Sequence, residues 1–516
     1  MSDTRGPARG QSARYMAVST LGLVTAASIV TSLRGLAMMA KEELTMFAYI
    51  GFSTFLFLIP VGLVAAELGG AFGKREGGLY VWVGEAFGKR TGFVAIFLTW
   101  VQNIVWYPTG LTFAAVAAAF AIGKPDLAGN HVFIGVFIVV AFWLCTAVAL
   151  VSNHFATKVA KYGFMAGTVV PGVILIALFV AWIVTGHGAG WNEATNQAVA
   201  TVTDGHPHPR WFPYITGLAG LAFLSGILLN FAGVESQAVH ASELKDPKRG
   251  YPIVIMIAAA VAFTIFTLGA LAVAGILPYR QIDVTTGVFD ALSTAFTTLM
   301  SMSWPVQVLA VLICYGALGG VLAWITGPSR GVLATAKDGL LPPVMQKTNK
   351  AGVQRNILLI QAVIVSVFAL LYLLMDNVNT VFFLISAMAV SLYIIVYMLI
   401  YASAIRLRYT QPDLPRSFRV PGGMTGMWLV AGIGFLAVAF AFVLAFVPPS
   451  QLPIGSPALY VGLVAAGAII FTGAPLVIER LAKPSWKPHA TDTTPSRAAP
   501  VARQQRKPTD QHDPPA

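Results

Sequence analysis

The chain has 516 residues, of which 57% are hydrophobic and only 10% charged, with 33 Lys and Arg against 21 Asp and Glu. So much apolar side chain exceeds what a soluble core of this size can bury, which excludes a soluble globular protein and points to the lipid bilayer as the chain's surroundings. The basic excess does not signal nucleic acid: with twelve spans and both ends inside, 28 of the 33 basic residues fall on the cytoplasmic side, leaving Arg34, Lys41, Lys124, Arg210 and Arg280, as the positive-inside rule requires.

Residues 1–15 are polar and basic, with Arg5, Arg9 and Arg14 and no apolar stretch ending in a cleavage site, so a cytoplasmic N-terminal segment is expected. Twelve apolar runs follow, at about 16–40, 44–66, 91–123, 130–153, 162–186, 211–243, 251–277, 304–336, 356–375, 378–404, 425–447 and 457–478. Each is near the roughly 20 residues that a bilayer demands of a helix. Pro448, Pro449 and Pro453 separate the last two by a turn. The semi-polar loop from Tyr279 to Ser303 is expected to carry short helix on the outer surface. Residues 481–516, rich in Pro, Thr, Arg and Gln, are expected to form a disordered cytoplasmic tail.

Two runs interrupt themselves. Run six, FLSGILLNFAGVESQAVHASE over Phe223 to Glu243, places Asn230, Gly233 and Glu235 inside an apolar stretch. Run one does the same with Thr31 and Ser32, Gly35 following. Hydrocarbon cannot hydrogen-bond a broken backbone, so such interruptions belong beside protein or a water-filled cavity. The two runs are five spans apart, the spacing expected of an inverted-repeat transporter with its substrate between the broken ends. For run one a continuous helix, with Thr31 and Ser32 bonding to carbonyls one turn earlier, stays open as an alternative.

Other chemistry is weakly signalled. Cys145 and Cys314 sit in apolar runs and read as packing residues. His206-Pro-His208 is too short and isolated for a metal site. Neither Gly73-Lys74 nor Gly88-Lys89 completes a phosphate loop. No cofactor, no metal and no enzymatic activity is expected.

Phe231-Ala-Gly-Val-Glu-Ser236, followed by Glu243-Leu-Lys-Asp-Pro-Lys-Arg-Gly-Tyr-Pro252, resembles the sixth-helix region of the amino acid-polyamine-organocation superfamily of permeases. Gly77-Gly-Leu-Tyr-Val-Trp82 with Ala86-Phe87-Gly88 is similar to that superfamily's segment between helices two and three, and Lys337-Asp-Gly-Leu-Leu-Pro342 to the end of its eighth helix. Ser32-Leu-Arg-Gly-Leu36 and Arg416-Ser-Phe-Arg-Val420 look most like the glutamate/γ-aminobutyrate antiporter family. The resemblance implies an all-α membrane protein of the leucine-transporter fold. Residues 16–405 would form a ten-helix core of two inverted five-helix repeats, and residues 406–480 helices 11 and 12. It also implies amino acid transport by alternating access, with glutamate for γ-aminobutyrate as the leading exchange. A proton-coupled uptake permease for a neutral or basic amino acid is the alternative. Some proton-driven relatives carry a lysine in helix five where this chain has Gly167, which favours exchange.

The substrate's carboxylate needs donors, which amides at the start of a half-helix supply; Val30, Thr31 and Ser32 are the candidates. Its ammonium needs acceptors, and carbonyls freed by unwinding at Asn230, Phe231 and Ala232 suit it, with Gly233 permitting close approach. Glu235 is either a proton sensor or a structural link to a neighbouring helix. His240 is a packing or gating candidate. Arg34 lies eighteen residues past Met16, about 27 Å along an ideal helix and so near the outer face. It either snorkels there, with Glu42 and Glu43 close by, or pairs with an acidic substrate. In run three Gln102 and Trp106 share a face, as do Asn103 and Tyr107, as a substrate wall or as interhelical bonds. The resemblance adds Trp324 as a wall of the site, with packing between helices as its alternative.

Overall fold

A computed structural model describes residues 17–73, 75, 77–192, 211–213, 217–236, 244–375, 377–449 and 456–487. Helices supply all the extended secondary structure among them, with no strand. Among the described residues eleven helices are long and apolar enough to cross a bilayer, and a bent pair makes a twelfth. We call them spans 1 to 12: Val18–Ile29 with Leu33–Ala40, Glu43–Phe72, Lys89–Ala121, His131–Val151, Phe155–Val184, Leu218–Ser236, Lys248–Ile276, Trp304–Lys337, Arg355–Leu374, Val378–Thr410, Gly423–Ala445 and Pro457–Arg480. Each of the twelve apolar runs of the sequence thus overlaps one of these spans among the described residues.

Packing sorts the spans into inner and outer ones. Spans 3 and 10 are the most enclosed and span 12 the least, so 3 and 10 form the middle of the bundle while span 12 offers most of its surface to lipid. Lipid tails give no hydrophobic drive to helix association, so close backbone contact carries it. Spans 5 and 8 show how. A Cβ on Gly167 would stand 2.2 Å from the Leu312 carbonyl oxygen and 2.5 Å from Gly316 Cα, so only glycine fits. Around Gly167, at Met165–Val169, span 5 widens into a turn of π-helix, and Thr168 donates from there to the Thr31 carbonyl of span 1 (3.3 Å).

At the end of span 2, Glu67 is almost wholly buried. Arg408 of span 10 donates to it from Nε (2.8 Å) and Nη2 (2.6 Å), Arg416 approaches it at 3.2 Å, and the Val420 N–H completes the set at 2.7 Å. Two short helices lie outside the spans. Leu79–Phe87 follows span 2, where the Tyr80 hydroxyl donates to Asp338 just past span 8 (2.8 Å). Gly287–Met300 lies in the loop after span 7, as expected for Tyr279 to Ser303. The expectation of a disordered tail from residue 481 needs correction for its first residues. Pro484–Trp486 is a 3-10 turn whose Trp486 carbonyl accepts from Gln346 (2.7 Å); residues from 488 on lie outside the described ones.

Candidate functional site

Span 1 does break. Its first helix ends at Ile29, Val30 leaves helical geometry at φ −87°, ψ 72°, and the second helical segment starts at Leu33 with a 50° bend between the two. The alternative of a continuous helix is thereby excluded. Ser32, extended at φ −163°, caps the second segment by accepting from the Arg34 N–H (3.4 Å). The Val30 and Thr31 amides already donate to the Ala26 and Ile29 carbonyls at 2.8 and 3.0 Å. The donors expected at Val30 and Thr31 are thus used by the backbone. Those left at the opening of the second segment are Ser32 and its successor Leu33, since the first amides of a helix have no intrahelical acceptor.

Span 6 breaks opposite. Its helix ends at Asn230, and the Phe231 and Ala232 amides fold back to Leu228 and Leu229 at 3.0 and 3.1 Å. Gly233 follows at φ +119°, a conformation that an L side chain rarely adopts. No donor among the described residues reaches the carbonyls of Asn230, Phe231 or Ala232. The two breaks touch: the Ser28 hydroxyl donates to the Gly233 carbonyl (3.2 Å), and a Cβ on Gly233 would meet the Ser28 carbonyl oxygen at 2.6 Å.

Between the breaks lies a cavity of about 40 Å³, room for about three waters at roughly 10–15 Å³ each. Span 1 lines it with Ser28, Ile29, Thr31, Ser32 and Arg34, and span 3 with Gln102, Asn103 and Trp106. Leu229, Asn230 and Ala232 come from span 6, Phe266 from span 7, Trp324 from span 8 and Tyr393 from span 10. Most of these stand near the middle of their spans, which puts the cavity at mid-depth.

Arg34 is the charged residue of that wall. The reading that sent it to the outer face is corrected, for it is 7% exposed. Its Nη1 donates to the Thr109 hydroxyl (3.1 Å) and its Nη2 to Asn230 Oδ1 (3.5 Å). The rings of Trp106 and Phe382 stand 5.5 and 5.7 Å from its Cζ. None of the ion pairs among the described residues joins it to Glu42 or Glu43. Asn103 donates to the Thr99 carbonyl (2.8 Å), whereas Gln102 Oε1 is buried with no hydrogen-bond donor among the described residues.

Glu235 stands behind the wall. It accepts from the hydroxyls of Tyr393 and Tyr397, the latter at 3.0 Å, and from the Gly233 N–H at 3.2 Å. These bonds join span 6 to span 10, with Glu235 one residue removed from the cavity through Tyr393. Four further candidates lie off the wall, among them Gly233, which meets Ser28 instead. Tyr107 turns away to pack on Phe142 of span 4, centroids 4.9 Å apart, Phe231 packs on Phe266 at 4.8 Å, and Val30 is buried outside the lining. His240 lies outside the described residues. Sequence reasoning missed Ser28, Ile29, Leu229, Phe266 and Tyr393. Only Tyr393 left a trace, in a stripe with Tyr397 and Tyr401 at helical spacing. No group of three or more His, Cys, Asp or Glu suited to a metal occurs among the described residues, and Cys145 and Cys314 are free thiols.

Comparison with known proteins agrees with this architecture. The family model for amino acid permeases matches residues 11–471. An uncharacterized transporter of Legionella pneumophila is 35% identical over 86% of this chain and 92% of its own length. Glutamate/gamma-aminobutyrate antiporters from two strains of Lactococcus lactis are 28% and 29% identical, over 88% of both chains in each case. The chain thus belongs to the amino acid permease family, and is a multi-pass membrane transporter rather than an enzyme.

Proposed function

We propose that the protein is an antiporter that exchanges glutamate, or another amino acid, for γ-aminobutyrate or a related amine by alternating access. It would work in the plasma membrane with both termini cytoplasmic, the orientation that the basic residues favour. One observation carries the reading: two interrupted spans meet across a cavity, one bringing Ser32 with an unused amide to its lining and the other Asn230 and Ala232 with unused carbonyls. Amides at a helix start attract a carboxylate and free carbonyls an ammonium, so the two sides together suit a zwitterion. The cavity holds only about three water-sized spheres, whereas glutamate has far more heavy atoms than that. Loading therefore requires the walls to part, and this movement belongs to alternating access.

Gly167 supports exchange over proton coupling. The backbone of span 8 fills the space beside it, so no cationic side chain fits there, and Thr168 already serves the Thr31 carbonyl. Exchange of an amino acid for its decarboxylated product would feed a decarboxylase that consumes a proton per turnover, and so suits growth in acid. Counterflow in proteoliposomes tests the proposal. Labelled glutamate should enter vesicles that hold γ-aminobutyrate and stay out of empty ones; entry into empty vesicles under a pH gradient would replace exchange by proton-coupled uptake.

A further inference from the structure

The inference drawn here rests on the exchange reading and deepens it, by naming what the substrate must carry. Arg34 is a buried cation in the cavity wall, and none of the ion pairs among the described residues includes it. A hydroxyl at 3.1 Å, an amide oxygen at 3.5 Å and two ring faces hold the guanidinium in place without neutralising it. Buried charge is costly unless paired, and the fork of a guanidinium matches a carboxylate. The remaining N–H groups have no acceptor among the described residues.

We propose that Arg34 determines specificity: it pairs with a carboxylate at the end of the substrate distal to the ammonium, and so restricts the cavity to amino acids that bear one there. An acidic α-amino acid and the ω-amino acid left when its α-carboxyl departs have two charged groups in common, the ammonium and the distal carboxylate. A site that holds each in turn must read those two. Asn230 and Ala232, whose carbonyls are unused and which line the cavity, suit the ammonium. The Ser32 amide suits the α-carboxylate, which only one partner has. Arg34 is the single charged residue in the lining, and it serves the carboxylate that both have. The same charge repels a diamine, whose second cation would stand against it.

Ligand displacement on the purified full-length protein tests this, with labelled glutamate as the probe. In the wild type γ-aminobutyrate should displace it, while n-butylamine, which lacks the carboxylate, and putrescine should not. Arg34→Gln should weaken glutamate and γ-aminobutyrate together, on the order of 10- to 100-fold, and bring γ-aminobutyrate down toward n-butylamine. Arg34→Lys should recover part of the loss. Displacement by n-butylamine as good as by γ-aminobutyrate, or wild-type affinities in Arg34→Gln, would overturn the assignment. Should Arg34→Gln fail to fold, the wild-type analogue comparison decides alone. Exchange of neutral amino acids only would remove the role of Arg34 and leave exchange standing, whereas counterflow with no amino acid at all would remove the exchange reading itself.

Discussion

The molecule buries arginine in two places and treats it in opposite ways. At the end of span 2, Arg408 and Arg416 converge on Glu67, with side-chain exposures of 10%, 3% and 2%. Their remaining donors also reach main-chain oxygens: Arg408 serves Val420 (2.9 Å), and Arg416 serves Leu407 and Gln411 (3.0 and 3.1 Å) at the C-terminus of span 10. Burial lowers the pKa of Arg416 and the charge of Glu67 raises it, while the exposed carbonyls of a helix end favour a cation. At the cavity, Arg34 has neutral oxygens and rings instead. Where charge serves architecture the chain supplies the counter-charge itself; in the cavity, on the proposal above, the substrate's carboxylate takes that place.

Removing the central carboxylate is the strongest way to break this comparison. Glu67→Ala strands two buried guanidinium groups and should cost about 3–5 kcal/mol, read as a large drop in Tm of the detergent-solubilised protein; a loss under about 1 kcal/mol would make the cluster dispensable. Arg34→Gln should do the reverse. It removes an unpaired buried charge, so Tm should hold or rise, while glutamate affinity falls on the order of 10- to 100-fold. A Tm drop as large as that of Glu67→Ala would make Arg34 architectural too. Gly233→Ala tests the break that faces Arg34. Strain at φ +119° and the contact with the Ser28 carbonyl should cost about 1–3 kcal/mol and reduce exchange in counterflow, and unchanged exchange would show that the close approach of spans 1 and 6 is not needed.

The smallest effect concerns the short helix Gly287–Met300. Burial, with a further push from the Asp283 charge and against the Thr286 hydrogen bond, raises the Asp290 carboxyl to about 6 from its ordinary 3.8. The folded state then holds that proton more tightly than the unfolded chain does. Its contribution is present below about 3.8 and lost as pH rises through about 6. Asp290→Asn should flatten the part of the Tm profile between those values and raise Tm near neutrality, and a profile identical to the wild type would contradict the assignment.

The fold was legible because hydropathy over about 20 residues is a strong signal, and both breaks showed as polar residues inside apolar runs. Depth was less legible. The 27 Å estimate for Arg34 assumed an unbroken rise of about 1.5 Å per residue, but the helix stops at Ile29 and bends by 50°, so Arg34 stays level with the cavity. Orientation failed at Tyr107 for a related reason. At about 100° per residue, Gln102, Trp106 and Asn103 span a 100° arc of span 3, and Tyr107 falls some 40° beyond it, toward Phe142. Phe266 left no signal, because an apolar residue in an apolar span looks the same whether it faces lipid, a neighbour or a cavity.

The central claim is that a substrate sits between the two interrupted spans, and an experimental structure determined in saturating glutamate tests it most directly. The account predicts ligand density bounded by Ser32 and Ala232, with the ligand's distal carboxylate within hydrogen-bonding distance of the Arg34 guanidinium. Density bound elsewhere, or spans 1 and 6 continuous and closed on each other with glutamate excluded, would contradict it.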